Sequence, residues 1–137
     1  MKLVGFNFNK INVERYSDRL EDIKINTNVD IIDIKNISND ILKTKEELLI
    51  TKFTFKVDYS PNFAQIELSG TIIFSLDPKD AKQVLKEWES KKINEKFKMD
   101  LFSVILRKSN IKSLELEEEL NLPLHIPLFS LKKKEDK

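Results

Sequence analysis

Between Leu49 and Leu76 the chain alternates apolar and polar residues in two runs separated by Ser-Pro-Asn. Leu49, Thr51, Phe53, Phe55, Val57 and Tyr59 share one face of the first run. Ala64, Ile66, Leu68, Ile72, Phe74 and Leu76 share one face of the second. This period of two is that of half-buried strands. A loop from Ser60 to Phe63 predicts a hairpin with Tyr59 opposite Ala64, Val57 opposite Ile66, Phe55 opposite Leu68 and the Phe53 ring over Gly70. On the polar face the same register sets Lys56 against Glu67. A slip of one residue would turn one strand's apolar set into water, so the one-sided pattern fixes the pairing. It also requires a covering layer on the apolar face and predicts a solvated or lightly contacted outer face.

Two further strands precede the hairpin. Val4, Phe6 and Phe8 alternate with polar residues, and Ile11 and Val13 continue in the opposite parity, which predicts a bulge near Lys10. Ile23, Ile25, Thr27, Val29 and Ile31 alternate in the same way, with a second bulge or a strand end at Ile31-Ile32. Residues 16–22 read as a connection, and residues 35–47 as a loop or short helix.

After the hairpin the period changes. Asp77-Pro78 predicts a helix start, with Asp77 as cap and proline in the first turn. Ala81, Val84, Leu85 and Trp88 then share one helical face, and Lys91-Lys92 sit at its end. Asn94-Glu95 opens a second helix bearing Phe97, Leu101, Val104 and Ile105, with Met99, Phe102 and Leu106 widening the apolar face toward burial on more than one side. Ser109-Asn110 is expected to end it. A short third helix, Ile111 to Leu120, would carry Leu114 and Leu120 inward and Glu115, Glu117, Glu118 and Glu119 mostly outward. In LNLPLHIPLFSL, Pro123 and Pro127 favour an extended apolar ribbon. The expected organisation is one α+β domain over residues 1–131 and a charged tail over 132–137.

Composition narrows the chemistry. The 137 residues are 40% hydrophobic and 34% charged, with no apolar run near the roughly 18 residues of a membrane span. The opening MKLVGFNFNK lacks the continuous apolar segment of an export signal, so a cytoplasmic protein is expected. With no cysteine and one histidine, thiolate chemistry, disulfides and multi-histidine metal sites are excluded within one chain. Two glycines leave no phosphate-cradling loop. A net charge of +1 and basic residues that are mostly lysine argue against a surface built for nucleic acid. Lys45, Lys52 and Lys56 make a basic stripe, but Asp58 and Glu67 interrupt it. The richness in lysine, glutamate and isoleucine fits a thermophile.

His125 has no visible serine or aspartate constellation and reads as structural, and Asp77 and Asp80 read as helix-start residues. The run of glutamates reads as a solvated face, and Trp88 and the phenylalanines fit a structural period first. No catalytic residue and no cofactor are expected, and an enzyme is disfavoured.

The order of elements is similar to that of the SecB family of export chaperones. The likeness is carried by INTNVDIIDI, by FTFKVDYSPNFAQIELSGTIIF, and by FSVILRKSNIKSLELEEELNLPLHIPL, a long helix leading into a proline-containing apolar segment. A group of small archaeal SecB-like proteins has a similar outline. The resemblance implies a four-stranded antiparallel sheet with helices packed on one face, assembly as a homo-oligomer (dimer or tetramer), and apolar grooves that hold unfolded polypeptide. Bacterial SecB proteins are markedly acidic, whereas this chain is near neutral. The candidate polypeptide-binding residues are Phe53, Phe55, Trp88 and Phe102, with Leu122, Ile126 and Phe129 as a ribbon that lines or covers the groove. Alternatives are a dedicated interaction subunit, antitoxin-linked or structural, and nucleic-acid binding through the sheet.

Overall fold

The computed structural model describes residues 1–19, 21–37 and 45–128. Along them run β1 (Lys2–Arg15), β2 (Lys24–Ile37), β3 (Glu47–Ser60), β4 (Ala64–Leu76), α1 (Pro78–Glu89) and α2 (Glu95–Leu120). The strands form one antiparallel sheet in the order β1-β4-β3-β2, and both helices pack on the same face of it. This is the two-layer α+β arrangement that the pattern predicts. Phe129 and the tail at 132–137 lie outside the described residues.

The β3–β4 hairpin has the predicted register, with Tyr59 opposite Ala64, Phe55 opposite Leu68 and Phe53 opposite Gly70. Asn62, at φ 46°, lets the short loop turn, and the Phe63 N–H donates to the Tyr59 carbonyl at 3.0 Å. Phe53, Phe55, Val57, Tyr59, Ile66 and Leu68 are all at most 1% exposed. Burying each such side chain is worth about 1.5–3 kcal/mol, so this face supplies most of the driving force for the fold. A Cβ at Gly70 would lie 2.5 Å from the Phe53 ring and 2.7 Å from the Asn7 carbonyl oxygen, so only glycine lets the ring settle there.

The parity changes in the flanking strands are bulges, between Phe8 and Lys10 in β1 and between Ile31 and Asp33 in β2. A further register shift lies between Leu3 and Gly5. β2 continues to Ile37, so the first part of the expected loop is strand; residues 38–44 lie outside the described ones. Lys56 does lie opposite Glu67, but the carboxylate is taken by Lys10 of β1, whose Nζ donates to it at 2.9 Å. That bond holds the Glu67 carboxyl below its ordinary range. Nor is the outer face uniformly solvated: Ile50 stands opposite Ile73, and neighbouring Leu48 is 9% exposed.

α1 starts at Pro78, but the Asp77 side chain makes no capping bond; the Asp77 carbonyl accepts from the Ala81 N–H at 2.8 Å. α1 ends with Lys91 in the left-handed region at φ 59°, the Lys91 N–H on the Trp88 carbonyl at 3.0 Å and the Lys92 N–H on the Glu87 carbonyl at 2.9 Å. This paired arrangement usually places glycine where Lys91 stands. α2 is capped as expected, with Asn94 Oδ1 accepting from the Phe97 N–H at 2.8 Å.

The expected break at Ser109-Asn110 is absent, and α2 is one helix of 26 residues. Phe97, Leu101, Ile105, Ser109, Ser113 and Glu117 fall at every fourth position and all are buried. The two serines continue the inward stripe as small side chains that let the helix lie close to the sheet. Serine lowers helix propensity by only a few tenths of a kcal/mol, roughly 0.5 at most, and packing of the stripe outweighs it.

Candidate functional site

Two regions beside α2 gather polar or aromatic groups. At its C-terminal end lies a closed polar clasp. Tyr59 reaches from β3, and its hydroxyl donates to Glu117 Oε2 while also lying 2.9 Å from the Pro123 carbonyl oxygen. His125 sets Nδ1 2.8 Å from Glu117 Oε2 and its backbone N–H 3.3 Å from the same carboxylate. The Nε2 atom of His125 lies 2.8 Å from Asn110 Oδ1, and the imidazole meets the Phe55 ring nearly edge-on. A carboxylate only accepts, so the phenol and the imidazole Nδ1 both supply protons to it. Buried alone, that carboxylate would cost many kcal/mol; ringed by donors, it joins three segments of the chain. Burial foremost, and then the bond to Glu117, raise the Tyr59 pKa well above its ordinary value.

The helix terminus beside the clasp is closed as well. Asn121 takes a left-handed conformation, and the Leu122 N–H donates to the Glu117 carbonyl at 2.8 Å. The last turn of α2 has no basic residue of its own. Arg15 of β1 supplies the positive charge that this end favours, donating from Nη1 to the Leu120 carbonyl at 2.9 Å and the Asn121 carbonyl at 3.2 Å.

Tyrosine, glutamate and histidine are the residue types of acid–base chemistry. Here the Glu117 and His125 side chains are 0% and 1% exposed and their polar atoms are engaged with one another, so the geometry fastens the ribbon to the helix and the sheet. Glu117, expected among outward glutamates, faces inward because it stands four residues beyond Ser113. The partners of His125 come from α2 and β3, too far away in sequence to show as a local motif. The one available signal was the four-residue spacing that runs through both serines to Glu117.

At the other end of α2, where α1 turns into α2 over the edge strand β2, lies an open cleft of about 690 Å³. Val29 and Ile31 of β2, Trp88, Ile93 and Phe102 form its apolar lining. Lys91, Lys92, Lys98, Glu95 and Asp30 stand around it. Lys91 Nζ lies 4.0 Å from the Trp88 ring centroid and Lys98 Nζ 5.6 Å from that of Phe102, distances at which an ammonium is attracted to a ring face. Trp88 and Phe102 remain half-buried, so each keeps apolar surface on the cleft.

The structure thus separates the candidate residues. Trp88 and Phe102 come together in the cleft. Phe53 and Phe55 lie in the core below the helices, at 1% and 0% exposed, and Leu122 is buried beside the clasp. Ile126 is half-buried on the ribbon. Val29, Ile31 and Ile93 join Trp88 and Phe102 without a local signal in the sequence, because their place in the cleft depends on the α1–α2 turn lying against the sheet edge. Among the described residues no three histidine, aspartate or glutamate side chains are grouped to hold a metal ion.

An antiparallel sheet of four strands followed by two helices on one of its faces is the SecB-like fold. No family model matches the sequence, and no curated protein matches it. Among solved structures, the SecB-like chaperone Rv1957 of Mycobacterium tuberculosis, in complex with a ChAD peptide from the Rv1956 HigA1 antitoxin, aligns with 98% of this chain and 92% of its own at a TM-score of 0.52. At 9% identity the likeness is one of fold.

Proposed function

We infer that the protein is a non-enzymatic, SecB-like chaperone that binds unfolded or extended segments of other proteins in the cleft between β2 and the α1–α2 turn. The observation that carries this reading is the pair of half-buried aromatic residues, Trp88 and Phe102, beside edge strand β2, whose outer side has no strand partner among the described residues. An extended peptide can place alternate side chains on such rings while its backbone runs along the strand. The solved structure of similar fold, which holds a peptide of an antitoxin, supports a protein-binding role. Suppression of aggregation of an unfolded client tests the reading. Trp88→Ala and Phe102→Ala should each weaken it, and equal activity in these variants would contradict the assignment of the cleft.

The antitoxin peptide also favours a second reading, a subunit dedicated to one partner. One tight partner recovered from cells, with no affinity for unrelated unfolded chains, would establish it over the first.

A homo-oligomer, dimer or tetramer, belongs to the same proposal. Leu3 and Ile11 on edge strand β1 and Met99 and Ile111 on α2 are exposed large apolar residues that a second copy would cover. A monomeric mass by light scattering would remove that part. Among the described residues no helix is long and apolar enough to cross a membrane, and we place the protein in the cytoplasm.

A further inference from the structure

The charges around the cleft are unequal. Lys91, Lys92 and Lys98 all border it, and none of the three is in an ion pair among the described residues. Of the two acidic neighbours, Asp30 alternates on β2 to the opposite sheet face from Val29 and Ile31. Glu95 stands in the first turn of α2, where a carboxylate is favoured by the helix end. The surplus at the mouth is therefore positive, although the whole chain carries a net charge of only +1.

Lys91 is also in an unusual position. It holds a left-handed backbone, φ 59°, at the residue after the α1 cap, where glycine is the ordinary occupant. In that place its ammonium lies over the Trp88 ring. A side chain kept where the backbone disfavours it, and aimed into a cleft, fits a role in the cleft better than a role in the turn.

We propose that this cleft selects acidic polypeptide segments, in which an aromatic or aliphatic anchor is flanked by aspartate or glutamate. The inference rests on the polypeptide-binding reading and names its client class. The anchor enters between Trp88 and Phe102, and the flanking carboxylates meet Lys91 and Lys92 on one side and Lys98 on the other. Apolar burial supplies affinity, and the lysines supply discrimination and speed of encounter. Basic segments are rejected because their charges would be brought against the ammonium groups of Lys91, Lys92 and Lys98.

The test uses three fluorescently labelled peptides with one shared Phe- and Leu-containing core and flanks of glutamate, glutamine or lysine. Binding to the full chain is followed by anisotropy at low and at high salt. Exposed ion pairs are worth a fraction of a kcal/mol each, so several together should favour the glutamate peptide over the lysine peptide by about tenfold at low salt, with the ratio shrinking as salt rises. Joint replacement of Lys91, Lys92 and Lys98 by glutamine should remove the preference, so that the glutamate and lysine peptides bind alike. Replacement by glutamate should reverse the order of the charged peptides. A melting curve reports whether each variant is folded, and the wild-type ranking stands as a test without them. Binding of all three peptides with equal affinity, or best with lysine flanks, would overturn the acidic preference and leave the cleft as a polypeptide site. Binding of none would overturn the polypeptide-binding reading and this inference with it.

Discussion

The two ends of α2 treat polar groups in opposite ways. At the C-terminal end, the Glu117 carboxylate is bonded by Tyr59 and His125, with Asn110 beside the imidazole, behind the ribbon. At the N-terminal end, Lys91 and Lys98 lie over Trp88 and Phe102 with no carboxylate partner among the described residues. One region is closed and internally complete; the other is open and has polar and apolar surface left over. The difference teaches which part of the molecule to read as scaffold and which as surface for another molecule. The residues most suggestive of catalysis hold the fold together, and the plainer lysines and aromatics face the cleft.

Substitutions in the clasp should therefore show up in stability, and those in the cleft in binding. Glu117→Ala strands the Tyr59 hydroxyl and the His125 ring inside the protein. It should destabilise the fold by about 3 kcal/mol, measured by urea unfolding, because removing one member of a buried network leaves its partners unsatisfied. A loss below about 0.5 kcal/mol, no more than an ordinary surface substitution, would break the scaffold reading.

Tyr59→Phe should cost less, about 1–2 kcal/mol near neutral pH. It should also change the response to alkali. In the folded chain, burial and the Glu117 bond keep the phenol protonated beyond the range in which an unfolded tyrosine ionises. The stability tied to this group is thus complete below pH of about 10 and falls as pH rises above it, by about 1.4 kcal/mol per unit. The phenylalanine variant should lack that fall. Parallel pH–stability curves for the two proteins would contradict the assignment.

Trp88→Ala should destabilise the fold by about 1–2 kcal/mol, since the ring is only half-buried, while reducing peptide binding at least tenfold. Lys91→Gly is the smallest change. Relief of the left-handed backbone, roughly 1 kcal/mol, is set against the lost ring contact and a freer unfolded chain, so stability should move by no more than about 0.5 kcal/mol. Affinity for acidic peptides should fall nonetheless. A variant that loses stability and keeps its affinity would place Lys91 with the scaffold.

The sheet was legible because strand periodicity is local. Each change of parity along the chain marked either a turn or a bulge, and one buried face left a single register between Leu49 and Leu76. α2 was harder because the helix stripe passes through Ser109 and Ser113, residues that resemble a stop when only apolar positions are followed. The clasp was hidden for the same reason. Glu117 continues that stripe but looks solvated among Glu115, Glu118 and Glu119, and its partners Tyr59 and His125 come from distant segments. Trp88 and Phe102 were legible as aromatic residues of two neighbouring helices. Phe53 and Phe55, chosen on the same apolar grounds, are core because both helices cover their face of the sheet.

Trp88 is the only tryptophan in the chain, which makes its emission a direct reporter of the cleft. The decisive measurement is titration of the protein with a permanently unfolded, tryptophan-free polypeptide, reduced and carboxymethylated to keep it open, while Trp88 emission is followed. Occupation of the cleft predicts a saturable shift of that emission, absent with a folded, tryptophan-free control protein. An unchanged Trp88 signal across the titration, or the same change with the folded control, would contradict the account.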